Sequence, residues 1–408
     1  MRNDNGVDVL VITALKEEYD AVRAVAGASD WREHGAGGAE PFSTAMHGPL
    51  SVALARPTQM GGRSIGAITT TLVNELRPAC LAMCGVCAGN PGETAPGDVI
   101  VAAPAYEWDE GKHIGAEFRP APQQIPQDNR WLRAAQDFDP TGLPSHGVAA
   151  GEEADTWFLE RLFKGQNPRK HPARERYLPG QAWRSRLERL EADGLIRWQR
   201  SDLVLTDAGR DRVQRTLYLD AGPERLPFQV VAGPMASGSA VMMDPEIWNR
   251  LEIAQYRIVA LEMEAAAIAT VAHDRQVPHW LVAKGVMDHA DFDKDDRFKA
   301  FAAKASAEVL FALLTKLMSA DTGPRPVRAA MTIPSTVKRE VVRRLAYDWQ
   351  DLADIVGVAP YETRRFRSGD EPRDLWNWLE SRSRLSELPD ALQTIGRTDL
   401  SSLLRPYI

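Results

Sequence analysis

The sequence predicts an α/β fold: a mixed sheet flanked by helices, interrupted by a basic insertion and followed by a small all-α C-terminal domain. Three observations lead there. The apolar run Val7–Thr13 passes without a break into Ala14–Val22, where Leu15, Tyr19 and Val22 fall at helical spacing. Short apolar runs and helical patterns then alternate as far as Met318. Two segments, 164–220 and 335–408, break that rhythm.

The elements follow in order. A strand at 7–13 launches the first helix, the usual way to hold polar groups over an α/β sheet. Leu50–Ala55 reads as a strand, Ile65–Leu76 as a helix and Ala79–Cys84 as a buried strand. Gly85-Val86-Cys87-Ala88-Gly89-Asn90 then reads as a glycine-rich turn whose small residues let backbone approach a ligand. Pro96-Gly97-Asp98 introduces a strand at Val99–Ala103. Phe228–Ala232 is a further strand, Met263–His273 an alanine-rich helix, His279–Val286 a strand and Lys299–Met318 a long amphipathic helix.

Between Lys164 and Arg215 there are 13 basic and 7 acidic residues, in a chain whose net charge is −7. Trp183–Ile196 reads as an amphipathic helix stopped by Gly194, followed by a hairpin at 195–198 and 203–206 and a helix begun by Asp207. The phrase LERLEADGLIRW…LVLTDAGR resembles a winged-helix module. The C-terminal segment predicts short helices at Val337–Leu345, Trp349–Val356, Glu371–Ser381, Leu385–Ile395 and Asp399–Leu404. Trp349, Leu352, Leu375, Trp376, Trp378 and Leu379 form its expected core.

Composition limits the function. With 44% apolar and 26% charged residues the chain is an ordinary globular protein, and its acidity disfavours coating of nucleic acid over the whole surface. No signal-peptide pattern and no membrane-length apolar run occur, so a cytoplasmic location without membrane contact is expected. The three cysteines, Cys80, Cys84 and Cys87, are too few and too clustered for a disulfide framework. Cys84 and Cys87 form a lone CxxC, read as part of a buried strand and turn, so neither a metal nor another cofactor is expected.

Three separated segments carry the chemistry: VLVITALKEEYDAV at 9–22, MCGVCAGNPGETAPGDVIVA at 83–102 and LEMEAAAIATVAHDRQVPHWLVAKGVMDHAD at 261–291. Together they resemble the methylthioadenosine/S-adenosylhomocysteine nucleosidase branch of the nucleoside phosphorylase superfamily, which implies a phosphorylase/hydrolase-like sheet. Residues 1–163 and 221–320 are then two parts of one nucleosidase domain, with 164–220 the winged-helix-like insertion, 321–334 a linker and 335–408 the helical domain.

Breaking a purine N-glycosidic bond requires a good leaving group, a stabilised electron-poor sugar and a nucleophile. The resemblance assigns proton donation to the base to Asp288 in KGVMDHAD, which needs surroundings unfavourable to its charge, such as Val286 and Met287. It assigns the ribose hydroxyls to Glu264 and packing beneath the sugar to Met263, both in LEMEA, and activation of water to Glu18. Glu262, two residues before Glu264, is expected to point away from it on a helix. Gly85, Val86 and Cys87 are expected against the substrate, with Ser237 in the stretch Met235–Ser239 near the adenine. Val86 and Cys87 depart from the small hydroxyl residues that the family prefers; the turn is similar instead to a GICAGN variant found in nucleosidase domains fused to signalling modules.

Phosphorolysis remains the competing reaction. The approach to the glycine turn lacks a cation and Glu18 would repel phosphate, whereas Arg56 and Arg63 are the arginines that could bind it. Lys112, Arg119, Lys284 and the segment ADFDKDDRFKAFAAKAS are candidates to surround a 5′-phosphate, so nucleoside and nucleotide substrates both stay open. The C-terminal segment resembles the death-like effector-associated domains of bacterial conflict systems, which implies a protein partner and a regulated effector; homo-oligomerisation is also expected. The insertion offers Arg184, Arg186 and Arg189 to nucleic acid, or acts as a lid or an oligomerisation element. The remaining alternatives are a non-catalytic nucleotide sensor and a DNA-bound regulator.

Overall fold

Alternation decides which residues of the first strand face which side. Leu10 and Ile12 enter one hydrophobic cluster and Val9 and Val11 the other, so the strand is buried on both faces. The computed structural model describes residues 7–27, 31–35, 40–115, 117–219, 221–292, 296–321, 333–358, 360–363, 366–381 and 384–407. The linker expected at 321–334 lies largely outside them, at 322–332. The chain divides into two compact units, Asn5–Gly323 and Pro324–Ile408.

In the first unit β1 (Val9–Ile12) leads to α1 (Lys16–Val25), followed by β2 (Arg32–His34), β3 (Phe42–His47), β4 (Leu50–Ala55) and α2 (Gly62–Leu76). Next come β5 (Cys80–Gly89), β6 (Val99–Glu107), the hairpin β7 (Gly111–Ile114) and β8 (Glu117–Pro120), and α3 (Asn129–Gln136). Just before the expected start of the insertion at 164 comes α4 (Gly151–Phe163), which shares its core; the insertion then holds α5 (Arg174–Tyr177), α6 (Ala182–Ala192), the hairpin β9 (Ile196–Gln199) and β10 (Asp202–Leu205), and α7 (Asp207–Leu219). The sheet resumes with β11 (Val230–Ser237), α8 (Ile247–Ala254), β12 (Ala260–Glu262), α9 (Ala265–Asp274), β13 (His279–Asp288) and α10 (Lys299–Asp321).

Nine strands make one mixed sheet in the order β12-β11-β6-β13-β5-β1-β4-β3-β2. The end of β5 also pairs antiparallel with β12, Leu261 against Ala88 and Ala260 against Gly89, which folds that end of the sheet back on itself. α2 and α9 contribute Ile65, Leu72, Ile268 and Ala269 to the cluster on one face. α1, α3 and α10 contribute Val22, Trp131, Leu310 and Leu314 to the other.

The structure changes several sequence boundaries. The expected glycine-rich turn is strand: β5 runs through Gly85 to Gly89. Its glycines mark close packing instead, since a Cβ on Gly89 would lie 2.3 Å from the Thr94 hydroxyl oxygen. β6 continues to Glu107 and β11 to Ser237, both past the expected ends. The helix expected from Met263 starts at Ala265, because Glu264 is still in its N-cap position.

The insertion has a core of its own, in which Trp157 and Phe158 of α4 pack with Leu190, Ile196, Leu205 and Val213. In the second unit α11 (Ser335–Leu345), α12 (Trp349–Ile355), α13 (Pro360–Thr363), α14 (Glu371–Ser381), α15 (Leu388–Thr394) and α16 (Thr398–Leu404) enclose Leu352, Leu375, Trp376, Leu379, Leu392 and Leu400. Trp349 and Trp378 pack on that core partly buried. Among the described residues no helix is long and apolar enough to cross a membrane.

Candidate active site

Glu18 is held before any ligand arrives. It stands in the first turn of α1, 2% exposed, where the helix dipole favours a carboxylate. One oxygen accepts the N–H groups of Ala14 (2.8 Å) and Leu15 (2.9 Å), and the other accepts that of Val86 (2.9 Å). A Cβ on Gly85 would come within 2.2 Å of that carboxylate, so glycine is the residue that lets β5 pass beneath Glu18. Glu17, by contrast, is exposed and faces Lys299 at 3.5 Å.

Lys284 is a fully buried cation on β13, 3.2 Å from both Glu262 and Glu264. Burial works against its charge, but Glu264, Glu262 and Glu18 more than offset that and push its pKa upward. Burial likewise pushes the Glu264 carboxyl up, with Lys284 pulling against it and Glu262 and Glu18 adding to it. The other Glu264 oxygen accepts the N–H of Gly61 at 3.0 Å.

Glu262 therefore does not point away from Glu264, contrary to the helical expectation. The strand ends at Glu262 and the helix begins only at Ala265, so the bend at Met263 and Glu264, not a helical turn, relates the two carboxylates. Glu262 also accepts the N–H groups of Glu264 and Ala265, which caps α9, and the hydroxyl of Ser237 at 2.5 Å. Ser237 is fully buried and its oxygen accepts the N–H of Ala266 as well, at 2.8 Å. It supports Glu262 from behind and is not among the described residues lining the pocket, whereas the sequence suggested a place near the adenine.

Asp288 ends β13. The pairing with β5 slips between Val286 and Asp288, a local irregularity that sets Asp288 opposite Ala88. One of its oxygens accepts the N–H of Ala290 at 2.9 Å. Glu18, Val86, Cys87, Met263, Glu264 and Asp288 all line one pocket of about 270 Å³, completed by Met60, Met242, Glu262, Met287, Asp296 and Lys299 among others. Gly85 reaches this pocket only by giving room to Glu18.

The cations fall differently from expectation. Lys284 is locked between two glutamates, and Lys112 and Arg119 face each other on the β7–β8 hairpin without lining the pocket. Arg56 and Arg63 do not line it either; Lys299, from the segment after Asp288, is the cation among its described lining residues. Arg186 and Arg189 of the insertion are paired with Asp155 and Arg184 with Glu188, so the proposed nucleic-acid face is already partly neutralised. Cys84 and Cys87 lie three apart on one strand and thus on opposite faces. Burial pushes all three thiols up. Among the described residues no group of His, Cys, Asp or Glu is arranged to hold a metal ion.

Sequence reasoning missed Glu262, the role of Lys284 and one further carboxylate, Glu107. Lys284 lies four residues before Asp288 on β13, but the register slip between Val286 and Asp288 breaks the alternation, so spacing alone did not signal its role. Glu107, at the end of β6, is raised to about 7 by burial and by Asp109, Glu262, Glu110 and Glu264. Because its folded pKa lies above its usual 4.5, its stabilising contribution is complete below about 4.5 and is lost as pH rises through about 7. Glu107→Gln should thus raise Tm above that range and leave it nearly unchanged below, as thermal melts across pH would show.

The model of the Phosphorylase superfamily matches residues 8–319. The chain belongs to the phosphorylase superfamily. Residues 335–406 match the Bacterial Death-like domain 3 model. Protein y4jS of Sinorhizobium fredii is 24% identical over 325 residues, covering 76% of this chain and 62% of its own length. ATP nucleosidase Cap17 of Escherichia coli is 24% identical over 307 residues, covering 73% of this superfamily member and 49% of Cap17. The chain thus spans about half to three-fifths of the length of these curated relatives. A 5′-methylthioadenosine/S-adenosylhomocysteine nucleosidase of Glaesserella parasuis is 34% identical over 94 residues, 22% of this chain and 40% of that enzyme. Among solved structures, the nucleosidase of that name from Neisseria meningitidis aligns with a TM-score of 0.47 at 17% identity, over 76% of this chain and 99% of its own.

Proposed function

We propose that this phosphorylase-superfamily chain hydrolyses the N-glycosidic bond of an adenine nucleoside or nucleotide. The observation that carries the reading is the convergence of Glu18, Glu264 and Asp288 on one pocket, with Met263 beside them. Asp288 gives its proton to N7 of the base as the C1′–N9 bond breaks, and the bonding pair leaves with the adenine. Glu264 accepts hydrogen bonds from the ribose hydroxyls, Met263 packs against the sugar, and the surrounding carboxylates favour the positive charge that develops on it. Glu18 keeps one lone-pair site beyond its three backbone contacts; with it the carboxylate orients water toward C1′ and takes the water's proton as the new C–O bond forms. The products are adenine and a free sugar carrying the original 5′ substituent.

Water is favoured over phosphate on electrostatic grounds. A phosphate dianion beside C1′ would meet Glu18 and Glu264, and no arginine is among the pocket's described lining residues. Incubation with adenosine, methylthioadenosine, AMP and ATP, with and without inorganic phosphate, is expected to release free adenine at a rate independent of phosphate. A strict phosphate requirement and a sugar 1-phosphate product would show phosphorolysis instead. The name of Cap17 and the position of Lys299 at the pocket support a nucleotide; adenine release from methylthioadenosine alone would rule it out.

The C-terminal unit is proposed to dock the enzyme onto a protein partner with a matching helical domain, as a regulated effector in a bacterial defence or signalling system. Its match to a death-like domain and its separate core support this. Ending the chain at Gly323 should preserve basal adenine release while removing partner-dependent stimulation; a truncated enzyme that is stimulated as fully would overturn the assignment.

A further inference from the structure

We propose that the insertion, together with α4 that shares its core, acts as a positioning element for Asp288, working through Glu160, Arg161 and Arg297. Glu160, near the end of α4, is 5% exposed and Arg161 2%. Glu160 receives the Arg297 guanidinium at 2.7 Å and that of Arg161 at 3.0 Å, with Lys164 at 3.6 Å. Arg297 belongs to the segment between β13 and α10, nine residues after Asp288. The exit from the insertion presses on the same point: a Cβ on Gly222, whose φ is +95°, would lie 2.3 Å from the carbonyl oxygen of Arg297.

Two further contacts place the insertion behind Asp288. Arg161, Lys164 and Gln166 face Asp288 and His289 across a cavity of about 20 Å³, room for roughly one water. His289 is buried, and its Nδ1 lies 2.6 Å from the carbonyl oxygen of Gly89. Burial and the Arg161 charge hold the ring neutral, so Nδ1–H donates to Gly89 and Nε2 remains an acceptor. Among the described residues Nε2 has no hydrogen-bond partner, and neither does Nε of Arg161. Arg176 also grips Asp98, whose carbonyl accepts the N–H of Val286 at 2.7 Å, two residues before Asp288. The strand end carrying the acid is thus held through Asp98 by Arg176 of the insertion, while Arg161 of α4 faces Asp288 across the small cavity. A buried guanidinium–carboxylate pair has fixed geometry, and loss of one partner leaves an unpaired charge that shifts its neighbours.

The inference rests on Asp288 as the proton donor proposed above. Glu160→Gln and Arg297→Gln, made singly and together in the full chain, are expected to lower kcat for adenine release by about ten- to a hundredfold, with KM little changed. The double variant should lose little more than either single one, because both remove the same contact. Circular dichroism and Tm report whether each variant folds; should Glu160→Gln not fold, Arg297→Gln and its comparison with Arg297→Lys decide. Partial recovery of kcat in Arg297→Lys is expected. Folded Arg297→Gln with full kcat, or a proportional rise in KM, would overturn the positioning role. Asp288→Asn measured alongside separates the two readings. If it keeps wild-type kcat the proton-donor assignment fails, and if it is inactive while the other variants are fully active only the positioning role fails.

Discussion

Asp288→Asn is expected to lower kcat for adenine release by about 10²- to 10⁴-fold, the usual contribution of a positioned general acid. The amide is nearly the same size, and it can still keep an oxygen toward the N–H of Ala290, which the carboxylate accepts at 2.9 Å. Folding should thus be preserved and the loss should fall on the chemical step. Steady-state kinetics with an adenine-release readout, with Tm as the control for folding, checks it. A variant with wild-type kcat would remove Asp288 from the reaction. The same substitution at Glu262 touches a different function, because that carboxylate caps α9 and holds Lys284.

The second large effect concerns stability. Lys284→Met should destabilise the first unit by about 3–5 kcal/mol, since it strands two buried carboxylates that now share one cation. The loss should also depend on pH. In the intact protein burial already raises Glu264 while Lys284 pulls it down; without the lysine it rises further. A group raised in the folded state contributes its stability in full below its unfolded pKa, about 4.5 for this carboxyl, and loses it as pH increases. The variant should therefore approach the wild type in acid and diverge from it toward neutrality. Urea melts over that range would show this, and a pH-independent difference would mean that the lysine's packing, not its charge, was what mattered. Triple replacement with Glu262→Gln and Glu264→Gln should recover part of the loss, because no buried charge is then left alone.

How far the site could be read from the chain depended on the kind of signal. Glu18 follows an apolar run by a fixed number of residues, and a strand that launches a helix delivers its first turn to the sheet's edge. Met263, Glu264 and Asp288 sit in short motifs whose order carries over with the family. Glu262 was misjudged because a helical period was applied across a strand end and a bend that precede the helix. Ser237 was placed against the base, yet its hydroxyl supports Glu262, a contact made across 25 residues of chain. The glycines at 85 and 89 suggested a turn, and they instead accommodate Glu18 and Thr94 against a continuous strand.

The sequence by itself determined the α/β alternation, the family, the helical character of the last seventy or so residues and the residue types that the chemistry needs, because these depend on local periodicity and motif. Only the tertiary structure decided how they meet. β5 pairs with β13 on one side and curls onto β12 at its end, and this brings Glu18, Val86–Ala88, Glu262–Glu264, Met287 and Asp288 into one pocket. It also turned Lys284 from a candidate phosphate ligand into a buried counter-ion and set the insertion against the back of Asp288. Charge pairing and burial depend on long-range contacts through space, and no local pattern in the chain encodes which carboxylate a lysine will meet.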